Sequence, residues 1–158
     1  MWRDSRSGKP ITILMADDDE EDRDLTGEAL ARAHLANEVR FVSDGQELLD
    51  YLRREGSYGG HGSEAPTPGI ILLDLNMPKK DGREALEEIK ADPSLRKIPV
   101  VVLTTSRDEE DVIRSYDLGV SSFITKPVTF GSLVEVMGAW GRYWFEIVEL
   151  PGEGAMNG

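Results

Sequence analysis

The chain has 158 residues, 18 basic against 30 acidic side chains and a formal charge of −12, which fits one domain and argues against a nucleic-acid surface. Cysteine is absent, excluding disulfides and thiolate ligands, and no run approaches the ~18 apolar residues of a membrane span. Residues 1–9 are polar and lack the apolar stretch of a signal peptide, so they read as a flexible arm on a cytoplasmic protein.

In chain order, Ile11 to Met15 is the first apolar strand, ending in Ala16-Asp17-Asp18-Asp19. Leu25, Ala29, Leu30 and Ala33 recur at helical spacing behind the acidic turn Glu20-Glu21-Asp22, which suits the positive end of a helix dipole. Val39 to Val42 predicts a second strand, and Ser43-Asp44-Gly45 turns into a helix carrying Leu48, Leu49 and Leu52. Residues 56–69 hold five Gly and two Pro, too long a stretch for an ordinary connection, and predict a mobile surface loop.

Ile70-Ile71-Leu72-Leu73 shows no alternation, the habit of a strand buried on both faces of a parallel sheet. Asp74 stands where that strand emerges, at the sheet edge where open α/β folds place their ligands. A helix with Ala85, Leu86 and Ile89 runs to Asp92-Pro93, where proline ends it. Pro99 to Leu103 is the fourth strand, ending in Thr104-Thr105-Ser106, and Asp108 to Leu118 is a helix stopped by Gly119. Ser122 to Thr125 is the fifth strand, ending at Lys126-Pro127. A last helix runs from about Thr129 to Val148, and residues 149–158 form a Gly-rich flexible tail. Five strand–helix units with right-handed crossovers predict a doubly wound α/β fold.

Four of the five strand ends carry groups for ionic or hydrogen-bonding work: Asp17-Asp18, Asp74, Thr104 and Lys126. In a parallel sheet these ends share one edge. Three carboxylates in one cleft repel one another, and an oxygen-only ligand set without His or Cys favours Mg²⁺. Lys126 can pair with Asp74 or with a phosphate it carries, and Thr104 can donate to that phosphate. The arrangement suits an aspartate nucleophile attacking an activated phosphoryl group.

As a set, Asp17-Asp18, Asp74, Thr104 and Lys126-Pro127 resemble the receiver domain of two-component response regulators, over residues 10–148. The resemblance implies a flavodoxin-like (βα)5 sandwich with strand order 2-1-3-4-5. It implies that Asp74 accepts phosphate from a sensor histidine kinase. Asp17, Asp18, Asp74 and the backbone carbonyl of Asn76 would hold Mg²⁺, and Thr104 and Lys126 would bind the phosphoryl group. Phe123 matches the family's aromatic switch position, and Thr105 the adjacent site where small residues are preferred. Within Asp17-Asp18-Asp19 the pair could shift by one; Asp17 and Asp18 directly follow the strand, and Asp19 better suits the helix start. Thr104-Thr105 carries a similar ambiguity. The Gly-rich loop and aromatic-ended last helix also resemble the single-domain receivers that serve phytochrome-type kinases.

In the last helix, Leu133, Met137, Trp140 and Trp144 could face the sheet, which leaves Val134, Tyr143, Phe145, Ile147 and Val148 uncovered. An uncovered apolar strip points to a partner surface, here a homodimer. The expected function is a phosphoacceptor signalling protein rather than an enzyme. Its rivals are a phosphate-independent dimeric adaptor and a Mg²⁺-dependent phosphohydrolase with an aspartyl-phosphate intermediate. The phosphohydrolase is disfavoured because Asp74-Leu75-Asn76 lacks a second carboxylate as general acid.

Overall fold

The apolar runs become five parallel strands, β1 (Thr12–Ala16), β2 (Val39–Val42), β3 (Pro68–Asp74), β4 (Val100–Thr104) and β5 (Ser122–Thr125), in the order β2-β1-β3-β4-β5. The computed structural model describes residues 11–32, 37–60, 65–75, 77, 79–105, 119–120, 122–129, 131–133 and 135. Three complete helices lie within them: α1 (Glu20–Arg32), α2 (Gly45–Arg53) and α3 (Gly82–Ala91). The expected helix at 108–118 and the last helix beyond residue 135 lie outside the described residues, as do Asn76, Ser106 and all five residues of the expected dimer strip.

Lack of alternation in the strands follows from a core on each side of the sheet. Leu14, Ile71, Leu73 and Val102 pack with Leu48, Leu49, Leu86 and Ile89 of α2 and α3. Ile13, Met15, Ile70, Leu72, Val101 and Leu103 pack on the other side with Leu30 of α1 and Leu133. Neighbouring side chains along a strand point to opposite faces, so a strand covered twice must be apolar at every position.

Three expectations need correction. Leu25 is not on the inward stripe of α1; it is 49% exposed, while Thr26 and Leu30 are buried. Thr26 and Leu30 lie four residues apart on one helix face, and Leu25 is displaced from that face by about 100°. The strand carrying Asp74 begins at Pro68 rather than Ile70, because Gly69 serves a close approach and not a turn: a Cβ there would lie 2.5 Å from the Ile11 side chain. Finally, the Gly-rich stretch is structured at both described ends. Gly56–Tyr58 forms a short 3-10 turn, and the Tyr58 ring meets Tyr51 edge-on at 5.0 Å. Tyr58 donates to Glu47 Oε2 at 2.6 Å, Tyr51 donates to the Pro66 carbonyl at 2.9 Å, and Ala65 is buried.

Gly82 brings α3 against the strand that bears Asp74. Its N–H donates to the Leu75 carbonyl at 3.0 Å, and an added Cβ would fall 2.5 Å from the Asp74 carbonyl oxygen. Asp81 and Glu84 close a reciprocal capping box on the same helix end.

Candidate functional site

The strand register sets the site. Ala16 pairs with Leu73, Asp74 with Leu103 and Thr104 with Thr125, so the residues at or just after these ends lie side by side along one edge. Asp17, Asp18 and Asp74 each bring a carboxylate oxygen to within 4.8 Å of the others. Asp17 is fully buried, Asp74 nearly so, and Asp18 is exposed.

Backbone geometry separates the three consecutive acids of the first loop. Asp17 Oδ1 accepts from the Asp19 N–H at 2.9 Å, which aims Oδ2 into the site. Asp19 Oδ1 accepts from the N–H groups of Glu21 and Asp22, at 2.9 and 3.3 Å, and so caps α1. Its carboxylate is thereby engaged at the helix end.

Lys126 reaches across the sheet edge into this acidic group, with only 16% of its side chain exposed. Its Nζ lies 2.8 Å from Asp22 Oδ2, 3.0 Å from Asp17 Oδ2 and 3.2 Å from Asp74 Oδ2. The contacts with Asp22 and Asp74 are hydrogen bonds, whereas the Asp17 contact is an ion pair without hydrogen-bond alignment. The Lys126 N–H donates to the Thr104 carbonyl at 2.8 Å, joining the lysine to the end of β4. Burial alone would lower the Lys126 pKa, but Asp22, Asp17 and Asp74 together outweigh it and hold the ammonium above the ordinary lysine range. Burial lifts the Asp17 carboxyl from 3.8 to about 6; the Asp74 charge adds to this, and the Asp19 N–H and Lys126 oppose it.

Among the described residues, two buried side-chain oxygens lack hydrogen-bond partners, Asp17 Oδ2 and Thr104 Oγ1. A buried carboxylate oxygen that accepts no hydrogen bond and is paired only ionically with Lys126, within a three-carboxylate group, suits a hard, oxygen-seeking cation. An orphaned hydroxyl at the end of β4, the strand next to Asp74, is available to donate to an incoming oxygen anion. Thr105 is exposed and Phe123 half-buried against the core layer of α2 and α3. The structure thus brings Asp17, Asp18, Asp74 and Lys126 together, with Thr104 at the adjoining strand end. Asp22 went unrecognised in the sequence, where an acid in the first helical turn is already explained by the helix dipole.

The family model of the response regulator receiver domain matches residues 13–137. Response regulator Rcp1 of Synechocystis sp. is 42% identical over 145 residues, covering 92% of this chain and 96% of that protein. A solved Mn(2+)-bound form of Rcp1 covers 90% of this chain and 100% of its own, with a TM-score of 0.66. The bacteriophytochrome response regulator AtBRR is 45% identical, with a TM-score of 0.79 and coverage of 86% of this chain and 96% of its own. A phosphorylated cyanobacterial phytochrome response regulator, RcpA, is also 45% identical, with a TM-score of 0.65 and coverage of 85% and 94%.

Proposed function

The chain belongs to the response regulator receiver family, and we propose that Asp74 is its phosphoacceptor and that its donor is a phytochrome-type sensor histidine kinase. The observation that carries the assignment is the meeting of Asp17, Asp18, Asp74 and Lys126 at one sheet edge. A carboxylate oxygen of Asp74 attacks the phosphorus of a phosphohistidine. The P–N bond breaks, an acyl phosphate forms on Asp74, and the imidazole leaves with the bonding pair. Lys126 supplies positive charge beside the attacking carboxylate, and the Thr104 hydroxyl donates to a phosphoryl oxygen.

The residues fit a divalent cation, for which Mg²⁺ is the expected occupant. Asp17, Asp18 and Asp74 would hold it, with the backbone carbonyl of Asn76 as a further ligand. When bound, it neutralises charge on the phosphoryl oxygens and relieves the repulsion among the carboxylates. Because Asp17 is raised by burial, its proton competes with the cation, so affinity should weaken as pH falls through about 6.

Output then passes by protein contact or by onward phosphotransfer, with Phe123 and Thr105 responding to the position of Thr104. The receiver occupies residues 10–148 in this reading, between an arm at 1–9 and a tail at 149–158, in the cytoplasm. Val134, Tyr143, Phe145, Ile147 and Val148 form a homodimer surface on the last helix. Phosphotransfer from a labelled bacterial phytochrome kinase tests the pathway: label should move rapidly to wild type and not to Asp74→Asn. Label that stays on the kinase while acetyl phosphate still modifies the protein would contradict this donor class. Sedimentation of the chain cut after Glu146 tests the dimer, which should dissociate to monomer; a dimer of undiminished affinity would contradict it.

A further inference from the structure

Among the described residues, three carboxylates surround the Lys126 ammonium, and two of them belong to the cation group. Asp17 and Asp74 bring oxygens into the set that could share a metal ion, and Asp22 does not. Asp22 nonetheless makes the shortest contact, a 2.8 Å hydrogen bond from Lys126 Nζ to Oδ2, spanning 104 residues of sequence. Its own backbone is fixed, because the Asp22 N–H donates to the Asp19 cap of α1 at 3.3 Å. Asp22 is therefore delivered to Lys126 by a capped helix end and not by a loose loop.

The consequence concerns the loaded site. A divalent cation held by Asp17, Asp18 and Asp74 would draw on the carboxylate charge that also faces Lys126 and would add a like charge near it. Of the three oxygens now around the ammonium, the one on Asp22 alone stays outside that competition. We propose that Asp22 is the tether of Lys126, a positioning residue that holds the ammonium at the rim of the site while Asp17 and Asp74 serve the cation and the phosphoryl group. This inference rests on the cation site described above. It adds a partner that lets lysine and metal coexist among shared carboxylates.

Without the tether, Lys126 leans wholly on Asp17 and Asp74 and competes with the cation for them. Calorimetric titration of Mg²⁺ into wild type, Asp22→Asn, Lys126→Met and the double variant reads this as coupling. In the Lys126-containing pair, Asp22→Asn should weaken Mg²⁺ by about threefold more than it does in the Lys126→Met pair. Equal losses in the two backgrounds would overturn the tether and leave Asp22 as a distant charge. Failure of wild type to bind Mg²⁺ at all would instead overturn the cation site itself. A second measurement needs no variant: the ¹⁵N-detected ammonium signal of Lys126 at low temperature should survive Mg²⁺ saturation. Its loss to rapid exchange with water on adding Mg²⁺ would contradict the tether.

Discussion

Asp17 shows what a carboxylate buried at a sheet edge costs the fold that carries it. It is fully buried, one of its oxygens has no hydrogen-bond partner, and burial raises its pKa from 3.8 to about 6. A folded-state pKa above the unfolded value means that the ionised form is penalised by folding. The contribution is therefore most favourable below about pH 3.8 and is lost as pH rises through about 6. Asp17→Asn should accordingly raise stability in metal-free buffer at pH 7.5 by about 1–3 kcal/mol, with the gain shrinking as pH falls from 6 towards 4. Urea denaturation of both proteins across that range checks the sign. A variant less stable at pH 7.5, or a gain that grows with acidity, would contradict the burial argument. Among site residues, the acids at strand ends were legible from sequence because each follows an uninterrupted apolar run. Asp22 was not, since its role depends on where the first turn of α1 meets the end of β5.

At the scale of elements, the site is positioned by close backbone approaches that only glycine permits. A Cβ at Gly82 would lie 2.5 Å from the Asp74 carbonyl oxygen and 2.6 Å from Leu75 Cα, both on rigid backbone. Gly82→Ala should cost about 1–3 kcal/mol and slow the modification of Asp74, because relief requires moving the strand end that carries it. Denaturant midpoints and phosphorylation rates measured together check this; an unchanged midpoint would show that α3 can shift freely. The Tyr58–Glu47 hydrogen bond anchors the turn after α2 in the same way. Glu47 Oε1 also accepts from the Ser43 N–H at 2.7 Å, so the tyrosine is tied to the end of β2. Tyr58→Phe should destabilise by about 1–2 kcal/mol in urea denaturation, and a neutral result would remove the anchor's energetic role. Strand existence and order could be read from apolar runs and from the family resemblance. The boundaries of β3 and the turn after α2 could not, because Gly and Pro signal loops equally whether they serve flexibility or close packing.

For the whole molecule, the parallel sheet turns distant sequence positions into one charged edge. Asp17 and Lys126 are more than a hundred residues apart and lie 3.0 Å from each other. The unliganded fold carries the cost of those crowded charges, so a ligand that shares them should stabilise it by mass action. Mg²⁺ at a hundredfold excess over its dissociation constant should add about 2.7 kcal/mol. For a domain of this size that corresponds to a rise of roughly 5–10 °C in Tm. Asp18→Ala removes an exposed carboxylate of the proposed cation group without disturbing the core and should abolish the rise, as read by calorimetric melting. An equal rise in that variant would place the cation elsewhere.

The chemical identity of Asp74 as the phosphoacceptor is the claim on which the rest depends. Its most direct test is intact-protein mass after incubation with acetyl phosphate and Mg²⁺, for wild type and Asp74→Asn side by side. Wild type should gain the mass of one phosphoryl group, lose that gain when Mg²⁺ is chelated beforehand, and show no gain as Asp74→Asn. An unmodified wild type, or equal modification of Asp74→Asn, would contradict the account.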